Sequence, residues 1–301
     1  MNCTKEEGLQ LVKKFAKKEF EKIQDIEFPY PNVKDSRCVS ECKSLLSKQL
    51  SNKTSSPIIR KFHPSMHNAN RKGCISNYEY WQLVKNDFEE FKKFYYNRLT
   101  RSDWFKEKDN CKYLKIGQVP IDIYYCGLTT SGAAPLPSYF KPMLAKYIVN
   151  KYLSKYDTVF DPFSGYSGRM LGVLFNGKNY IGQDINDVTI EESKNIFDFV
   201  KPYISTWNTC ELKTKDVTKS KGSHECLFTC SPYGLIEQWG QDIHDYSCDK
   251  WIDICLDRFD CEKYVFVTDN KISKYREYIK EDILNTSHWG KNSEHIVVIR
   301  R

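Results

Sequence analysis

Near the start of the chain apolar residues recur at helical spacing: Leu9, Leu11, Val12, Phe15, Phe20 and Ile23 alternate with charged positions over residues 5–24. That spacing predicts an amphipathic helix. The stretch FPYPNVKDS reads as loop, and residues 51–76 are punctuated by Pro, Gly, Asn and Ser. Helical spacing returns over residues 79–100, EYWQLVKNDFEEFKKFYYNRLT. Residues 1–125 are therefore expected to form a smaller, mainly helical module.

From residue 141 the pattern changes. KPMLAKYIVNKYL predicts a helix, and six short apolar runs follow it: TVFDP, NYIGQD, CELKTKD, ECLFTC, KYVFVTDN and EHIVVIR. Such runs, alternating with helical or loop connections, predict an α/β domain over residues 126–301, with a mostly parallel sheet and helices on both faces. Ligands of such sheets bind beyond the carboxyl ends of the strands. The residues that end each run are therefore the first candidates for chemistry.

Composition adds constraints. The chain has 301 residues, 40% hydrophobic and 14% aromatic, which suits one large domain and a smaller one. No apolar run approaches the roughly 18 residues of a membrane span, and the start, MNCTKEEGLQ, lacks the apolar core of a signal peptide. A cytoplasmic protein without a membrane partner is expected, and the 12 cysteines are read as reduced thiols. The net charge of +7 is unevenly placed, since residues 1–125 hold 24 Lys+Arg against 16 Asp+Glu. Between Glu41 and Glu79 lie Lys43, Lys48, Lys53, Arg60, Lys61, Arg71 and Lys72 with no acidic residue. This stretch suits either a phosphate-binding surface or a solvated basic face.

After the first run comes Asp161-Pro162-Phe163-Ser164-Gly165-Tyr166-Ser167-Gly168-Arg169, opening a helix. Glycines at a strand-to-helix turn let a ligand approach the backbone. The second run ends Tyr180-Ile181-Gly182-Gln183-Asp184, placing an acid where ribose hydroxyls would donate to it. A dinucleotide fold uses the same devices. DPFSGYSGRMLG followed by YIGQDIN, however, resembles motifs I and II of the amino-directed DNA methyltransferases, with two residues between Gly165 and Gly168 where DPF-x-G-x-G has one. APLPSYFKP, with Pro135, Pro137, Phe140 and Pro142, resembles that family's motif X.

The resemblance implies a Rossmann-like class I methyltransferase sheet and S-adenosylmethionine as cofactor. It implies Asp161, Phe163, Gly165, Gly168, Asp184, Ile185 and Asp216 as cofactor residues, Asp216 ending the third run where the family meets the adenine amino group. The fourth run delivers Cys230-Ser231-Pro232-Tyr233-Gly234, which resembles motif IV. In the family the first motif residue and the next carbonyl accept the N–H bonds of a base amino group, while the aromatic stacks on the flipped base. Cys230, Ser231, Pro232 and Tyr233 are accordingly the expected catalytic residues, with either Cys230 or Ser231 as the acceptor; a thiol is the weaker one.

DNA is thus the expected partner, methylated at adenine N6 or cytosine N4, and restriction systems often pair such an enzyme with an endonuclease. RNA methylation and a non-catalytic DNA-binding protein of the same fold remain open. A chain beginning near Gly127 is expected to keep cofactor affinity and lose DNA affinity. Cys38, Cys42, His63 and His67 form C-x3-C and H-x3-H pairs, read either as a zinc site or as buried thiols and surface histidines, the latter preferred.

Overall fold

The computed structural model describes residues 5–47, 55–71, 73–101, 119–129, 134, 136–230, 232, 237–238, 246–268 and 295–300. In chain order its helices are α1 (Lys5–Ile23), α2 (Asp35–Leu46), α3 (Pro57–Phe62), α4 (Asn77–Asn86), α5 (Phe88–Arg101), α6 (Ile121–Thr129), α7 (Pro142–Tyr152), α8 (Gly168–Leu174), α9 (Asp187–Val200) and α10 (Cys248–Arg258). The strands of its large sheet are β1 (Thr158–Asp161), β2 (Asn179–Asp184), β3 (Cys210–Thr214), β4 (Gly222–Cys230), β5 (Phe259–Thr268) and β6 (His295–Arg300). Each of the six apolar runs read from the sequence falls on one of these strands, with β4 and β5 beginning three and four residues before their runs.

The chain divides into two compact units. One comprises residues 1–32, 66–137 and 238–240; the other comprises 33–65, 138–237 and 241–301. In the first, α1, α4, α5 and α6 surround an aromatic-rich core that includes Ile23, Trp81, Phe91, Phe94, Tyr95, Tyr124 and Leu128. A capping box between Ser76 and Glu79 starts α4. Glu19 on α1 is buried, and its carboxylate accepts from the Val119 N–H at 3.2 Å and from the Tyr124 hydroxyl.

The second unit is built on the sheet, in the order β3-β2-β1-β4-β5-β6. All neighbours are parallel except β5 and β6. This is a doubly wound, Rossmann-like α/β fold, and its strand order reverses between β1 and β4, where such sheets open a crevice for ligands. Because side chains alternate across a strand, Phe160, Leu227, Tyr264 and Phe266 pack with Trp251, Ile252 and Cys255 of α10. On the strand face that bears Cys226, the register partner of Lys263, the Lys263 ammonium donates to the Tyr152 carbonyl of α7 at 2.6 Å.

The units do not divide at the expected 125/126 boundary. On α2, Cys38, Cys42 and Leu45 are buried. Phe62 of α3 lies 5.1 Å from Phe199 of α9, ring centre to ring centre. Lys146 of α7 donates to the carbonyls of Leu45 and Ser47, the latter at 2.8 Å. Residues 33–65 are thus part of the sheet unit, and a chain beginning at Gly127 would remove them from it. The basic stretch of residues 43–72 is shared between the two units. Among the described residues no helix is long and apolar enough to cross a membrane, and the described cysteines are free thiols.

Candidate active site

Strand β1 ends at Asp161, which is fully buried. Its carboxylate accepts from Arg169 Nε at 2.8 Å and Nη2 at 3.3 Å, from the Tyr180 hydroxyl at 2.8 Å, from Thr229 Oγ1 at 2.6 Å and from the Phe163 N–H at 3.2 Å. One carboxylate therefore ties together β1, β2, β4 and the start of α8. Arg169 also donates to the Phe163 carbonyl, and its guanidinium lies 5.4 Å from the centre of the Phe140 ring. Burial alone would lower the Arg169 pKa, but the adjacent Asp161 charge outweighs it and holds the group above its ordinary value. A buried ion pair is tolerated when its partners are also hydrogen-bonded, and the Asp161 side has that from Tyr180, Thr229 and Phe163. Asp161, expected to meet the cofactor, has its carboxylate hydrogen-bonded within the protein, where it organises the turn.

The turn after β1 runs to Gly168. Gly165 has φ +51°, in the left-handed region that favours glycine, and its N–H donates to Asp184 Oδ2 at 2.9 Å. Gly168 has a different reason: a Cβ there would overlap the Phe140 carbonyl. The backbone that comes close at Gly168 is the protein's own segment from the motif X-like turn, so the expected approach of a ligand is not what requires this glycine.

Strand β2 ends at Asp184, half-buried, with Oδ1 accepting from the Asn186 N–H at 3.0 Å and Oδ2 from Gly165. Burial raises its pKa, with the two backbone hydrogen bonds acting in the opposite sense. Beside it Ile185 and Val188 are 40% and 51% exposed, leaving apolar surface next to a carboxylate. The Ser164 N–H donates to the Gln183 carbonyl at 2.9 Å, yet Ser164 Oγ and Gln183 Nε2 are buried without hydrogen-bond partners among the described residues. The Trp251 indole nitrogen is likewise buried with no partner among the described residues, its ring 5.1 Å from Phe163. Unmatched buried polar groups are rare and costly. Their concentration around the turn suits a ligand with polar and apolar parts.

Asp216 follows β3 and caps the short helical turn Val217–Lys219, accepting from the Thr218 N–H at 2.9 Å and hydroxyl at 2.7 Å. Partial burial works to raise its pKa, but bonds from Thr218 and Lys219 prevail and hold it low. Cys230 ends β4, half-buried, with Val267 as its register partner. Pro232 is half-buried; Ser231 and Tyr233 lie outside the described residues.

The two histidines of the zinc alternative have other partners. His63 contacts Glu192 and Ser167, and His67 Nδ1 lies 3.2 Å from Asn77 Oδ1. Both rings are buried, against the expectation of surface histidines. Burial pushes the Cys38 and Cys42 thiols up to about 11 and about 12. Among the described residues no three His, Cys, Asp or Glu side chains are grouped to hold a metal ion.

Sequence reasoning did not assign Arg169, Tyr180 or Thr229 to the Asp161 cluster. Arg169 and Thr229 stand in motifs already singled out, one directly after Gly168 and the other directly before Cys230. That adjacency was the available signal.

No family model matches the chain, and no curated protein is similar to it in sequence. Solved structures with similarity to it include a magnesium protoporphyrin IX methyltransferase from Synechocystis with bound SAM, at 13% identity over 68% of this chain and 97% of that one, TM-score 0.40. Another is the 23S rRNA methyltransferase ErmE, at 13% identity over 54% of this chain and 68% of that one, TM-score 0.38. TehB from Haemophilus influenzae is similar at 10% identity over 52% of this chain and 67% of that one, TM-score 0.35. The fold assignment rests on the strand order and pairing themselves.

Proposed function

We propose that this protein is an S-adenosylmethionine-dependent methyltransferase acting on the exocyclic amino group of a DNA base. The observation that carries the reading is the edge at the β1/β4 reversal. There a glycine turn with buried polar atoms that find no partner among the described residues meets an acid-ended second strand and the Cys230 end of β4. In this reading Asp184 accepts the ribose hydroxyls with the lone pairs that Gly165 and Asn186 leave open. Ile185 covers one face of the adenine ring, Phe163 borders the site, and Ser164 and Gln183 supply polar contacts. Asp216 meets the adenine amino group.

When bound, S-adenosylmethionine supplies an electrophilic methyl group on a sulfonium. The protein's task is to prepare the nitrogen that accepts it. A base amino lone pair is delocalised into the ring, so acceptors on its N–H bonds and a fixed approach are needed. Either Cys230 or Ser231 takes the acceptor role, the following carbonyl takes the second N–H, and Tyr233 stacks on the base. The basic residues of the first 125 positions bind DNA phosphates.

The test is incubation of the full chain with isotope-labelled S-adenosylmethionine and either DNA or RNA, followed by nucleoside mass spectrometry. Label on adenine N6 or cytosine N4 of DNA is expected. Label on RNA alone would replace the substrate, and cofactor binding without transfer to either would replace the enzyme with a binding protein. Cys230→Ser supplies a stronger acceptor. If Cys230 holds that role, the rate should rise by about 10 to 100-fold.

A further inference from the structure

A second buried polar cluster meets the cofactor turn at Ser167. His63, at the end of α3, places Nδ1 2.9 Å from Glu192 Oε2 and Nε2 2.9 Å from Ser167 Oγ. Glu192, on α9, also accepts from the Ser65 N–H at 2.9 Å and from the Ser65 hydroxyl at 2.5 Å. Ser167 Oγ lies 2.6 Å from Ser193 Oγ, which donates to the Thr189 carbonyl at 2.7 Å. The Tyr166 and His63 rings meet edge-to-face, their centres 5.2 Å apart.

Counting protons fixes the direction of this chain. Three contacts link His63 Nε2, Ser167, Ser193 and the Thr189 carbonyl, and the two hydroxyls bring two protons. The third proton sits on His63 Nε2. The imidazole and Glu192 share one further proton across the Nδ1 contact. Although a serine, a histidine and a carboxylate are aligned, Ser167 is not a nucleophile. It is 1% exposed, His63 is 0% exposed, and the Ser167 proton points to Ser193, away from a base.

What the cluster holds is a backbone conformation. Ser167 has φ 63°, and among the described residues it is the one non-glycine with positive φ. That conformation is unfavourable for any L side chain and persists where surrounding contacts over-determine it. The Ser167 side chain gives no capping bond to α8; it is spent on His63 and Ser193. The residues that fix it come from α3 and α9, outside the turn.

We propose that His63 and Glu192 are positioning residues for the cofactor: they hold Ser167, and through it the backbone of Gly165–Gly168, in the conformation that receives S-adenosylmethionine. This rests on the methyl-donor reading above. It also gives residues 33–65, which supply His63 and Ser65, a part in the cofactor site. The proton count makes a specific demand on Glu192. A glutamine there keeps every contact, because its amide oxygen accepts from Ser65 N–H. Its NH2 donates to the Ser65 hydroxyl and to His63 Nδ1, and His63 Nε2–H still reaches Ser167.

The experiment is calorimetric titration of S-adenosylmethionine into the full chain as wild type, Glu192→Ala, Glu192→Gln and Ser167→Ala, with thermal melting of each. Glu192→Ala and Ser167→Ala are expected to weaken binding roughly tenfold to a hundredfold, and Glu192→Gln to stay within about threefold of wild type. Wild-type affinity in Glu192→Ala and Ser167→Ala overturns the proposal, as does a loss in Glu192→Gln equal to that in Glu192→Ala. Should Glu192→Ala fail to fold, Ser167→Ala and Glu192→Gln decide. If wild type binds no S-adenosylmethionine, the methyl-donor reading fails, and hydrogen–deuterium exchange over residues 164–172 decides the hold on the turn. Faster exchange there in Ser167→Ala than in wild type supports it, and equal exchange overturns it.

Discussion

Asp161 and Asp184 end neighbouring parallel strands, yet the two carboxylates have opposite employments. Asp161 is fully buried and takes hydrogen bonds from Arg169, Tyr180, Thr229 and Phe163. Asp184 is half-buried, takes one backbone N–H on each oxygen, and stands beside exposed Ile185. The first has no capacity left for a ligand; the second keeps lone pairs and an apolar neighbour. An acid at the end of a strand is thus a ligand group only where the surrounding side chains leave it unfinished.

The largest effect that could break this contrast is at Asp161. Asp161→Ala leaves the Arg169 guanidinium buried without its partner, and loss of about 3–5 kcal/mol of stability is expected in urea denaturation. A stability within about 1 kcal/mol of wild type would show that the cluster is not what holds the turn. Asp184→Ala should behave in the opposite way. Its fold should survive, while the calorimetric dissociation constant for S-adenosylmethionine rises by roughly tenfold to a hundredfold, the equivalent of ~1.5–3 kcal/mol. Unchanged affinity in a folded variant would remove Asp184 from the site.

A smaller effect sharpens the contrast through pH. Because the native state raises the Asp184 pKa above the ordinary 3.8, folded protein holds this proton to higher pH than unfolded chain. The ionised carboxylate therefore costs stability, and that cost develops as pH rises through the window from 3.8 to the raised folded value. Asp184→Asn removes the titration, so its stability relative to wild type should climb through that window and stay level above it. Thermal melting across acid to neutral pH in ligand-free protein checks this. A relative stability that falls with rising pH would mean the carboxylate is stabilised when charged.

The pattern of residues was sufficient for much of this. Six strands, their alternation with helices, and the acid that ends β2 follow from period-two and period-3.6 spacing and from residues adjacent in the chain, which local geometry controls. Gly165 reads as room for a ligand at the turn, and its left-handed φ of +51° is a further, local demand of the same turn. Gly168 was noticed but its reason was not, because the group it must avoid is the Phe140 carbonyl, supplied by a segment that precedes β1.

Other assignments belong to tertiary structure alone. His63 reads as a surface histidine, with half of a metal-binding pair as the alternative, but its partners are 104 and 129 positions away, and no spacing rule reaches that far. Residues 33–65 read as part of a basic helical module, yet Cys38, Cys42 and Leu45 are buried within the sheet unit. Asp161 and Asp184 are the same residue type after the same kind of strand. What separates them is the placement of Arg169, Tyr180 and Thr229 around one and not the other. Sequence by itself determined the six strands and the helices with a clear 3.6-residue period, because backbone periodicity is local. Tertiary structure decided which buried polar groups find partners, because that depends on side chains brought together from distant parts of the chain.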